Sequence, residues 1–324
     1  MEAIKEARLS QATSERRYAR VRPRREQTSD ARSRRDLREK GIGLGLFLAG
    51  SSSILITLAI VFVLCYESVE FFRHVSLFEF FTETRWTPQF ANPKYGILPL
   101  VCGTLMTTAV ALLVALPVGT VVALYLSEFA PFTLREIVKP ALELLSAVPT
   151  VVYGYFALQF VMPALKYVIP GLPTFNMLSA GIVMGIMIIP YVSSLSEDAM
   201  RSVPMLLREG SYALGGNKFV TALNVVVPSS MSGIGAAYIL GISRAIGETM
   251  IVAIAAGMQP NLTLDPTEPA ATMTAYIVQV SLGDLPHGSI GYQSIFATGF
   301  LLFCMTLIFN VGGHILRRRF HQAY

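Results

Sequence analysis

The chain has 324 residues, of which 53% are apolar and only 15% are charged, and its mean hydropathy is +0.53. Soluble domains usually carry about 25% charged residues, so this composition indicates a membrane protein and argues against a soluble enzyme. The formal net charge is +5, but 13 of the 26 Lys and Arg residues fall within residues 1–42, among seven acids. Such a tail is typical of a disordered, solvated segment that marks the cytoplasmic side or meets anionic membrane lipid, and we expect no nucleic-acid binding.

Six hydrophobic stretches are long enough to cross a bilayer, which takes about 20 apolar residues in a helix. The predicted spans, numbered 1 to 6 in chain order, are 43–66, 97–126, 137–163, 176–196, 228–256 and 290–316. Prolines such as Pro149 and Pro190 lie inside them, which is acceptable because neighbouring helices or water can satisfy the freed carbonyls. The sequence therefore predicts an all-α polytopic membrane protein with six transmembrane helices.

The distribution of basic residues predicts that both termini are cytoplasmic. The Arg-rich tail precedes the first span and Arg317, Arg318 and Arg319 follow the last, whereas loop 257–289 holds acids and no Lys or Arg. An even number of spans places both ends of the chain on the same side, in agreement with these charges. We therefore expect two regions, a tail of residues 1–42 and a transmembrane domain of residues 43–324.

The segment 209–228, EGSYALGGNKFVTALNVVVP, is a polar and glycine-containing stretch between two predicted spans. Gly215 and Gly216 can end a first short helix, because glycine adopts the left-handed conformation at little cost. The carboxylate of Glu209 suits the N-terminus of that helix, and a second helix leads to Pro228 at the start of the next span. The pattern predicts a helix–turn–helix elbow on the cytoplasmic face, although a plain amphipathic connector fits it equally well.

Two charges lie within predicted span 5, in the stretch ILGISRAIGETMIVAIAAG of residues 239–257. Arg244 and Glu248 are four residues apart, so a continuous helix would place them on one face. A charge inside a span costs roughly 2.5–3.5 kcal/mol on the insertion scale, and such residues line a pathway or pair with each other. Arginine suits a tetrahedral oxyanion because its planar guanidinium offers paired donors, and Ser243 and Thr249 add hydroxyls. An anion pathway and a structural salt bridge both explain the pair.

No pattern in the chain indicates catalysis, a cofactor or a metal. The phosphate-binding sequence GxxxxGK[ST] is absent, so we do not expect this chain to hydrolyse ATP. Cys65, Cys102 and Cys304 all lie in apolar stretches without metal-ligand spacing. Unpaired, buried thiols are the simplest interpretation of these cysteines.

The spacing of residues in the elbow resembles the EAA loop of ABC importer permeases, whose pattern is EAA-x3-G-x9-I-x-L-P. Glu209 begins the match and Pro228 ends it; Gly-Ser replaces Ala-Ala, and valines replace the Ile and Leu. The resemblance implies a type I ABC importer permease fold with a coupling elbow at 198–228 that inserts into the cytoplasmic ATPase. By this resemblance, the residues that couple to the ATPase are Glu209, Gly210, Ser211, Tyr212 and Gly215.

The string RAIGETM, which follows the elbow, is similar to the phosphate-importer permeases of the PstC/PstA pair. The segments RWTPQFANPKYGILPLVCGTL (85–105) and PVGTVVALYLSEF (117–129) look more like PstC than PstA. The resemblance covers about residues 43 to 318, and it implies a multi-pass subunit of the bacterial inner membrane that carries inorganic phosphate. It places Arg244 and Glu248 on the substrate path, with the hydroxyls of Ser243 and Thr249 beside them.

The same resemblance implies the partners of this chain. These are a PstA-type permease, two copies of a PstB-type ATPase that bind ATP and Mg²⁺, and a PstS-type extracytoplasmic phosphate-binding protein. Two alternatives remain open from the residues alone. One is a permease for another oxyanion (sulfate, molybdate or phosphonate), and the other is an ion-coupled carrier or a channel gated by protonation of the Arg–Glu pair.

Overall fold

The computed structural model describes residues 29–319, and almost all of them are helical. The one β-bridge among these residues joins Trp86 to Tyr95. In chain order the helices, with π-helical turns marked, are Ser29–His74, Leu77–Thr82, Leu98–Leu124, Tyr125–Phe129 (π), Phe132–Ser146, Thr150–Phe156, Ala157–Val161 (π), Met162–Val168, Met177–Arg201, Met205–Ala213, Lys218–Thr221, Ala222–Val226 (π), Val227–Ser229, Met231–Ile246, Met250–Ala255, Met273–Gln279, Val280–Asp284 (π) and Ile290–Arg319.

Within the described residues, five helical stretches are long and apolar enough to cross a membrane, and a bent pair of helices gives a sixth. The five are span 1 (Arg38–His74), span 2 (Leu98–Phe129), span 3 (Thr150–Val168), span 4 (Met177–Arg201) and span 6 (Ile290–Ile315). Span 5 is the helix Met231–Ile246, which passes the length and hydropathy test only together with the preceding segment Lys218–Ser229, from which it is bent by 69°. The predicted all-α architecture with six spans is thus confirmed by length and composition.

The chain divides into two units, residues 1–60 and residues 61–324. In the first unit the described residues belong to the helix Ser29–His74, and the side chains of residues 38–60 are exposed except for half-buried Ser51. Residues 1–28 of the predicted tail, 1–42, lie outside the described residues. The rest of that range belongs to the helix Ser29–His74. The second unit contains the other helices and all the buried clusters.

Predicted span 3, residues 137–163, is wrong as a single helix. The helix Phe132–Ser146 ends, and a new helix begins at Thr150 with Pro149 as its N-cap. Proline has no N–H to donate and disfavours helical geometry in the residue before it, so a helix stops ahead of Pro149 and another starts after it. The segment Phe132–Ser146 is therefore a separate amphipathic helix that buries none of its residues.

Spans 2 and 4 pack closely because glycines lie between them. A Cβ atom at Gly181 would come within 2.6 Å of Val110 Cγ1, and one at Gly185 would come within 2.7 Å of the backbone oxygen of Ala111. Small residues at such contacts allow helix backbones in a membrane to approach each other. These two spans, with span 3 and the helix Met250–Ala255, enclose the largest buried apolar cluster.

A second buried cluster is aromatic and joins the end of span 1 to loop 75–97. The Trp86 side chain is 2% exposed and packs edge-on against Tyr95 and Tyr276, with ring centroids 6.1 and 5.0 Å away. Edge-to-face contacts of this kind stabilise aromatic pairs beyond the area they bury. The tryptophan of this loop therefore holds the loop against the bundle.

The amphipathic helix Phe132–Ser146 is fixed to the C-terminal end of span 4 by ion pairs. Lys139 Nζ donates hydrogen bonds to Glu197 Oε2 at 2.7 Å and to Asp198 Oδ1 at 2.6 Å, and Arg201 lies 3.6 Å from the other oxygen of Glu197. Burial by itself would lower the pKa of Lys139, but the bonds to the two carboxylates and their charge outweigh this and raise its pKa. Lys139 therefore stays charged throughout the physiological pH range.

Candidate functional site

Arg244 occupies the last turn of the helix Met231–Ile246, facing span 4. Its guanidinium carbon lies 4.5 Å from the centroid of the Tyr191 ring. Within residues 38–283 and 285–315 it forms no ion pair, and its buried Nε has no hydrogen-bond partner. An aromatic face stabilises a cation without neutralising it. Arg244 thus keeps its charge and unused donor capacity for an anion.

Glu248 does not share a helical face with Arg244, so that prediction is wrong. The helix ends at Ile246, and Glu248 Oε1 accepts hydrogen bonds from the backbone N–H groups of Met250 (3.1 Å) and Ile251 (3.4 Å). The carboxylate therefore caps the short helix Met250–Ala255, satisfying donors that have no partner inside it. Capping at this point competes with continuation of the first helix, which is why predicted span 5, 228–256, breaks here.

A residue outside the break between the helices Met231–Ile246 and Met250–Ala255 also stabilises this break. Thr274 Oγ1 donates a hydrogen bond of 2.7 Å to the backbone oxygen of Glu248, and the Glu248 side chain is buried. Thr249 Oγ1 donates to the oxygen of Gly247 within the break itself. Glu248 and Thr249 thus define the geometry of the break, whereas Arg244 faces span 4 next to it.

Ser243 faces a different neighbour from Arg244. Its hydroxyl donates to Asn310 Oδ1 in span 6 at 3.1 Å, and Asn310 Nδ2 donates to the oxygen of Thr306 in its own helix. The structure therefore does not bring the four predicted path residues together on one surface. The sequence analysis did not predict two neighbours of these residues, Tyr191 and Asn310. Tyr191 follows Pro190 in span 4. Asn310 is a polar residue within an uncharged span, and this was a signal in the sequence that could have identified it.

Two short helices joined by a glycine turn occupy the segment predicted as an elbow, and residues 198–201 of the predicted range belong to the helix of span 4. The first elbow helix is Met205–Ala213, and Gly215 follows it with φ +87°, in the left-handed region that glycine tolerates. The second elbow helix, Lys218–Ser229, begins at Asn217, whose side chain accepts a hydrogen bond from Val220 N–H at 2.8 Å. The predicted turn at the glycines is confirmed.

Glu209 is misplaced in the prediction. It lies in the middle of the nine-residue first elbow helix, since Pro204 starts that helix earlier than expected. Glu209, Gly210 and Tyr212 are exposed, and a Cβ atom at Gly210 would meet nothing within 4 Å. Ser211 is half-buried and shares a 2.8 Å hydrogen bond with Thr221, which fixes the angle between the two elbow helices.

The outer surface of the elbow is apolar at several points. Leu214 is 91% exposed, and the other large exposed apolar side chains there are Met205, Leu206, Tyr212, Phe219, Val220 and Leu223. Large exposed apolar side chains that cluster on a surface can mark an interaction site. The elbow thus offers a carboxylate, a clear approach at Gly210 and apolar side chains to a partner.

Comparison with known proteins identifies the family of this chain. The family described as the binding-protein-dependent transport system inner membrane component matches residues 115–323. The chain belongs to this family. It is therefore an ABC importer permease, which works with an ATPase and a substrate-binding protein, is not itself an enzyme and spans the inner membrane several times.

Individual relatives show which permeases of this family the chain is similar to. The chain is 35% identical over 235 residues to the probable ABC transporter permease protein YqgH of Bacillus subtilis, covering 72% of this chain and 76% of that protein. It is 35% identical over 247 residues to the phosphate transport system permease protein PstC of Xylella fastidiosa, covering 70% and 74%. With PstC 1 of Mycobacterium tuberculosis the identity is 32% over 313 residues, covering 84% and 92%.

Solved structures confirm the type I importer permease fold. A bacterial ABC transporter that imports the acidic polysaccharide alginate matches with a TM-score of 0.63 and 16% identity, over 90% of this chain and all of that one. The inward-facing MetNI methionine ABC transporter matches with a TM-score of 0.52 and 16% identity, over 70% and 95%. At this identity the likeness concerns the fold and carries no information about cargo.

Proposed function

We propose that this chain is a permease subunit of an ATP-driven phosphate importer and forms half of the translocation path. The similarity to several PstC permeases over most of the chain supports phosphate as the cargo. The observation that carries the proposal at the level of residues is Arg244, a permanent cation stacked on Tyr191 with no carboxylate paired to it among the described residues. A tetrahedral oxyanion can accept hydrogen bonds from such a guanidinium.

The partners in this proposal are a PstA-type permease, two PstB-type ATPases and a PstS-type binding protein. ATP and Mg²⁺ are bound by the ATPases, which dock on the elbow through Glu209, Gly210, Ser211, Tyr212 and Gly215. Closure of the ATPase pair on ATP moves the elbow, and the translocation path changes from facing the cytoplasm to facing outward. Phosphate then leaves its binding protein and passes Arg244.

Within this mechanism Glu248 has a different role from Arg244. Its carboxylate accepts backbone hydrogen bonds, so it fixes the break that ends the helix of Arg244 and does not need to contact phosphate. The hydroxyl of Ser243 holds the same helix to span 6, and Thr249 completes the break. Arg244 provides the affinity for the anion, and the other three residues set its position.

Uptake of radiolabelled phosphate by the complete complex in proteoliposomes tests this function. Arg244→Ala is expected to abolish uptake and the ATPase activity stimulated by the binding protein, while the complex still assembles. Uptake at the wild-type rate in this variant would exclude the proposed role of Arg244. Tyr66→Phe, an exposed change in span 1, serves as a control that leaves uptake unchanged.

Another oxyanion is the second candidate, because the guanidinium alone does not distinguish among tetrahedral anions. Sulfate, molybdate and phosphonate are each added in excess to the phosphate uptake assay. Under the phosphate proposal, none of them competes at concentrations where unlabelled phosphate does. An ion-coupled carrier or channel does not fit an ABC permease family, and a requirement of uptake for ATP hydrolysis provides its test.

A further inference from the structure

The C-terminal end of span 2 lies between the two helices of the elbow. It is the π-helical turn Tyr125–Phe129, with the sequence YLSEF, and two adjacent residues of this turn make the contacts. Glu128 pairs with Arg208 of the first elbow helix, and Lys218 Nζ of the second lies 5.5 Å from the centroid of the Phe129 ring. Both elbow helices therefore hold the same turn.

The contact between Glu128 and Arg208 is a buried ion pair. Their side chains are only 6% and 11% exposed, and Nη2 of Arg208 lies 2.9 Å from Oε1 of Glu128. The Nε of Arg208 donates a longer hydrogen bond of 3.5 Å to Oε2, and Ser127 donates to Oε1 at 3.0 Å. Paired donors of this kind fix the orientation of both groups as well as their distance.

Arg208 also reaches the end of span 4. It donates hydrogen bonds to the backbone oxygens of Met200, at 2.9 Å, and of Val203. One side chain of the elbow thus joins the first elbow helix, the end of span 2 and the end of span 4. Removal of either charged partner would leave a buried charge without compensation, which is strongly unfavourable.

The covalent connection from the elbow into span 5 is less direct. It passes through a π-helical stretch, Ala222–Val226, and then a bend of 69° before Met231–Ile246. The helix axis changes direction at this bend, so the backbone does not carry a displacement of the elbow along one continuous helix axis. The side-chain contacts of Arg208 avoid this bend, because they join the elbow directly to the ends of spans 2 and 4.

We propose that the ion pair between Arg208 and Glu128 is the joint through which movement of the elbow reaches spans 2 and 4, with the contact of Lys218 and Phe129 as its second point of attachment. This inference rests on the proposed function, in which ATP-driven movement enters the chain at the elbow. Arg208 and Glu128 are positioning residues and contact neither phosphate nor ATP.

The movement has a path from this joint to the candidate phosphate site. Spans 2 and 4 pack through Gly181 and Gly185 with no room for even a methyl group, so they move together. Span 4 carries Tyr191, on which the guanidinium of Arg244 lies. Span 2 also shares a hydrogen bond of 2.6 Å with span 5, between Thr120 and Tyr238. Displacement of the elbow therefore shifts the surface that supports Arg244.

The test compares single and double variants in the complete complex with its ATPase and binding protein. Arg208→Gln and Glu128→Gln each leave one buried charge unpaired, so we expect less complex and at least about tenfold lower phosphate uptake per assembled complex. Basal ATP hydrolysis persists, but its stimulation by the binding protein is lost. The double variant removes both charges, so its yield and melting temperature recover while uptake and stimulation stay low.

The double variant separates transmission from simple stability. Recovery of uptake together with stability in the double variant would overturn the proposal, since the pair would then only hold the fold. If the single variants do not assemble, Phe129→Leu and Lys218→Gln provide the second measurement. They remove a contact without burying a charge, and we expect stimulation to fall at least about threefold; wild-type stimulation in both would also overturn the proposal.

A matched control variant and the wild-type complex distinguish the proposal about the ion pair from the proposal that the cargo is phosphate. Arg73→Gln breaks an exposed ion pair with Glu70 and is expected to leave uptake and stimulation within about twofold of wild type. A wild-type complex that takes up a different oxyanion contradicts only the phosphate assignment, because stimulation by the binding protein still reports on the joint. If the wild-type complex takes up phosphate and the variants take it up equally well, only the proposed role of the ion pair is contradicted.

Discussion

The guanidinium carbon of Arg244 lies 4.5 Å from the centre of the Tyr191 ring, and these two residues come from different spans. A carboxylate in the place of the ring would satisfy the arginine and compete with any incoming anion. The aromatic face stabilises the cation and accepts no strong hydrogen bond from it. This relationship makes span 4 part of the candidate phosphate site, alongside the charged span 5.

Substitution of Tyr191 tests that relationship. Tyr191→Leu removes the ring, and since a cation over an aromatic face contributes about 0.5–2 kcal/mol, uptake at low phosphate should fall roughly twofold to thirtyfold. Tyr191→Phe keeps the ring and loses only the hydrogen bond from the hydroxyl to the backbone oxygen of Ser146, so uptake should stay within about twofold. An equal loss in both variants would show that the hydroxyl matters and the ring does not.

Glu248 is expected to tolerate loss of its charge but not loss of its hydrogen-bond acceptor. Glu248→Gln keeps an oxygen that can accept from Met250 N–H, whereas Glu248→Ala leaves the short helix uncapped at a cost of about 0.5–2 kcal/mol. We expect the Gln variant to retain most uptake and the Ala variant to melt at a lower temperature and transport poorly.

The pH dependence of uptake distinguishes this role from proton transfer. If Glu248 carried a proton during transport, Glu248→Gln would be as inactive as Glu248→Ala and would lose the pH dependence of the wild type. Parallel uptake profiles for Glu248→Gln and wild type between pH 6 and 8 are the expected result. Thr274→Val, which removes the hydrogen bond to the backbone oxygen of Glu248, should resemble the Ala variant in a weaker form.

The elbow could be predicted from sequence because its signals are local. Gly215 adopts a positive φ at the expected turn, and Asn217 caps the helix that follows it. The position of Glu209 was harder to predict, since a carboxylate suits the first turn of a helix but Pro204 begins this one earlier. Local rules identify where a turn occurs more reliably than which residue begins the helix before it.

The breaks inside predicted spans 3 and 5 could not be derived from hydrophobic length. Only Gly247, Glu248 and Thr249 separate the apolar residues of the two helices, and the hydrogen bonds accepted by Glu248 show that a new helix begins there. Pro149 was predicted to lie inside one continuous span, whereas in the structure it is the N-cap of a new helix. Residues that touch across spans, such as Tyr191 and Arg244, are invisible without the fold.

Packing between spans 2 and 4 should be intolerant of a single added methyl group. A Cβ atom at Gly185 would lie 2.7 Å from the backbone oxygen of Ala111, which cannot rotate away as a side chain can. Gly185→Ala is therefore expected to destabilise the protein by about 1–3 kcal/mol and to lower the melting temperature of the purified complex. Gly235→Ala in span 5 is the control, because nothing lies within 4 Å of its added Cβ. Equal melting temperatures for both variants would contradict the close packing.

Lys139 is expected to stabilise the junction between the amphipathic helix Phe132–Ser146 and span 4. Lys139→Met leaves the buried carboxylate of Glu197 with only the longer contact to Arg201, so we expect a loss of about 1–3 kcal/mol in stability. Lys139→Arg should retain most of that stability.

The raised pKa of Lys139 fixes the pH range of this contribution. Since the folded-state pKa exceeds the unfolded one, the stabilisation is fully present below the unfolded pKa of about 10.4 and is lost only as pH rises through the folded pKa. The difference in melting temperature between wild type and Lys139→Met should therefore be constant from pH 6 to 9. A difference that shrinks within that range would contradict the assignment.

Glu209→Lys should release the ATPase without disturbing the permease. Glu209 is exposed and, among the described residues, forms no ion pair, so reversal of its charge breaks no contact within the fold. At a docking interface the same reversal removes a charge contact and adds repulsion, at a cost of about 2–5 kcal/mol, so co-purification of the ATPase should fall at least tenfold. Glu143→Lys, an exposed change on the amphipathic helix, is the matched control and should retain the ATPase. Normal co-purification with Glu209→Lys would instead assign docking to the exposed apolar side chains of the elbow, above all Leu214.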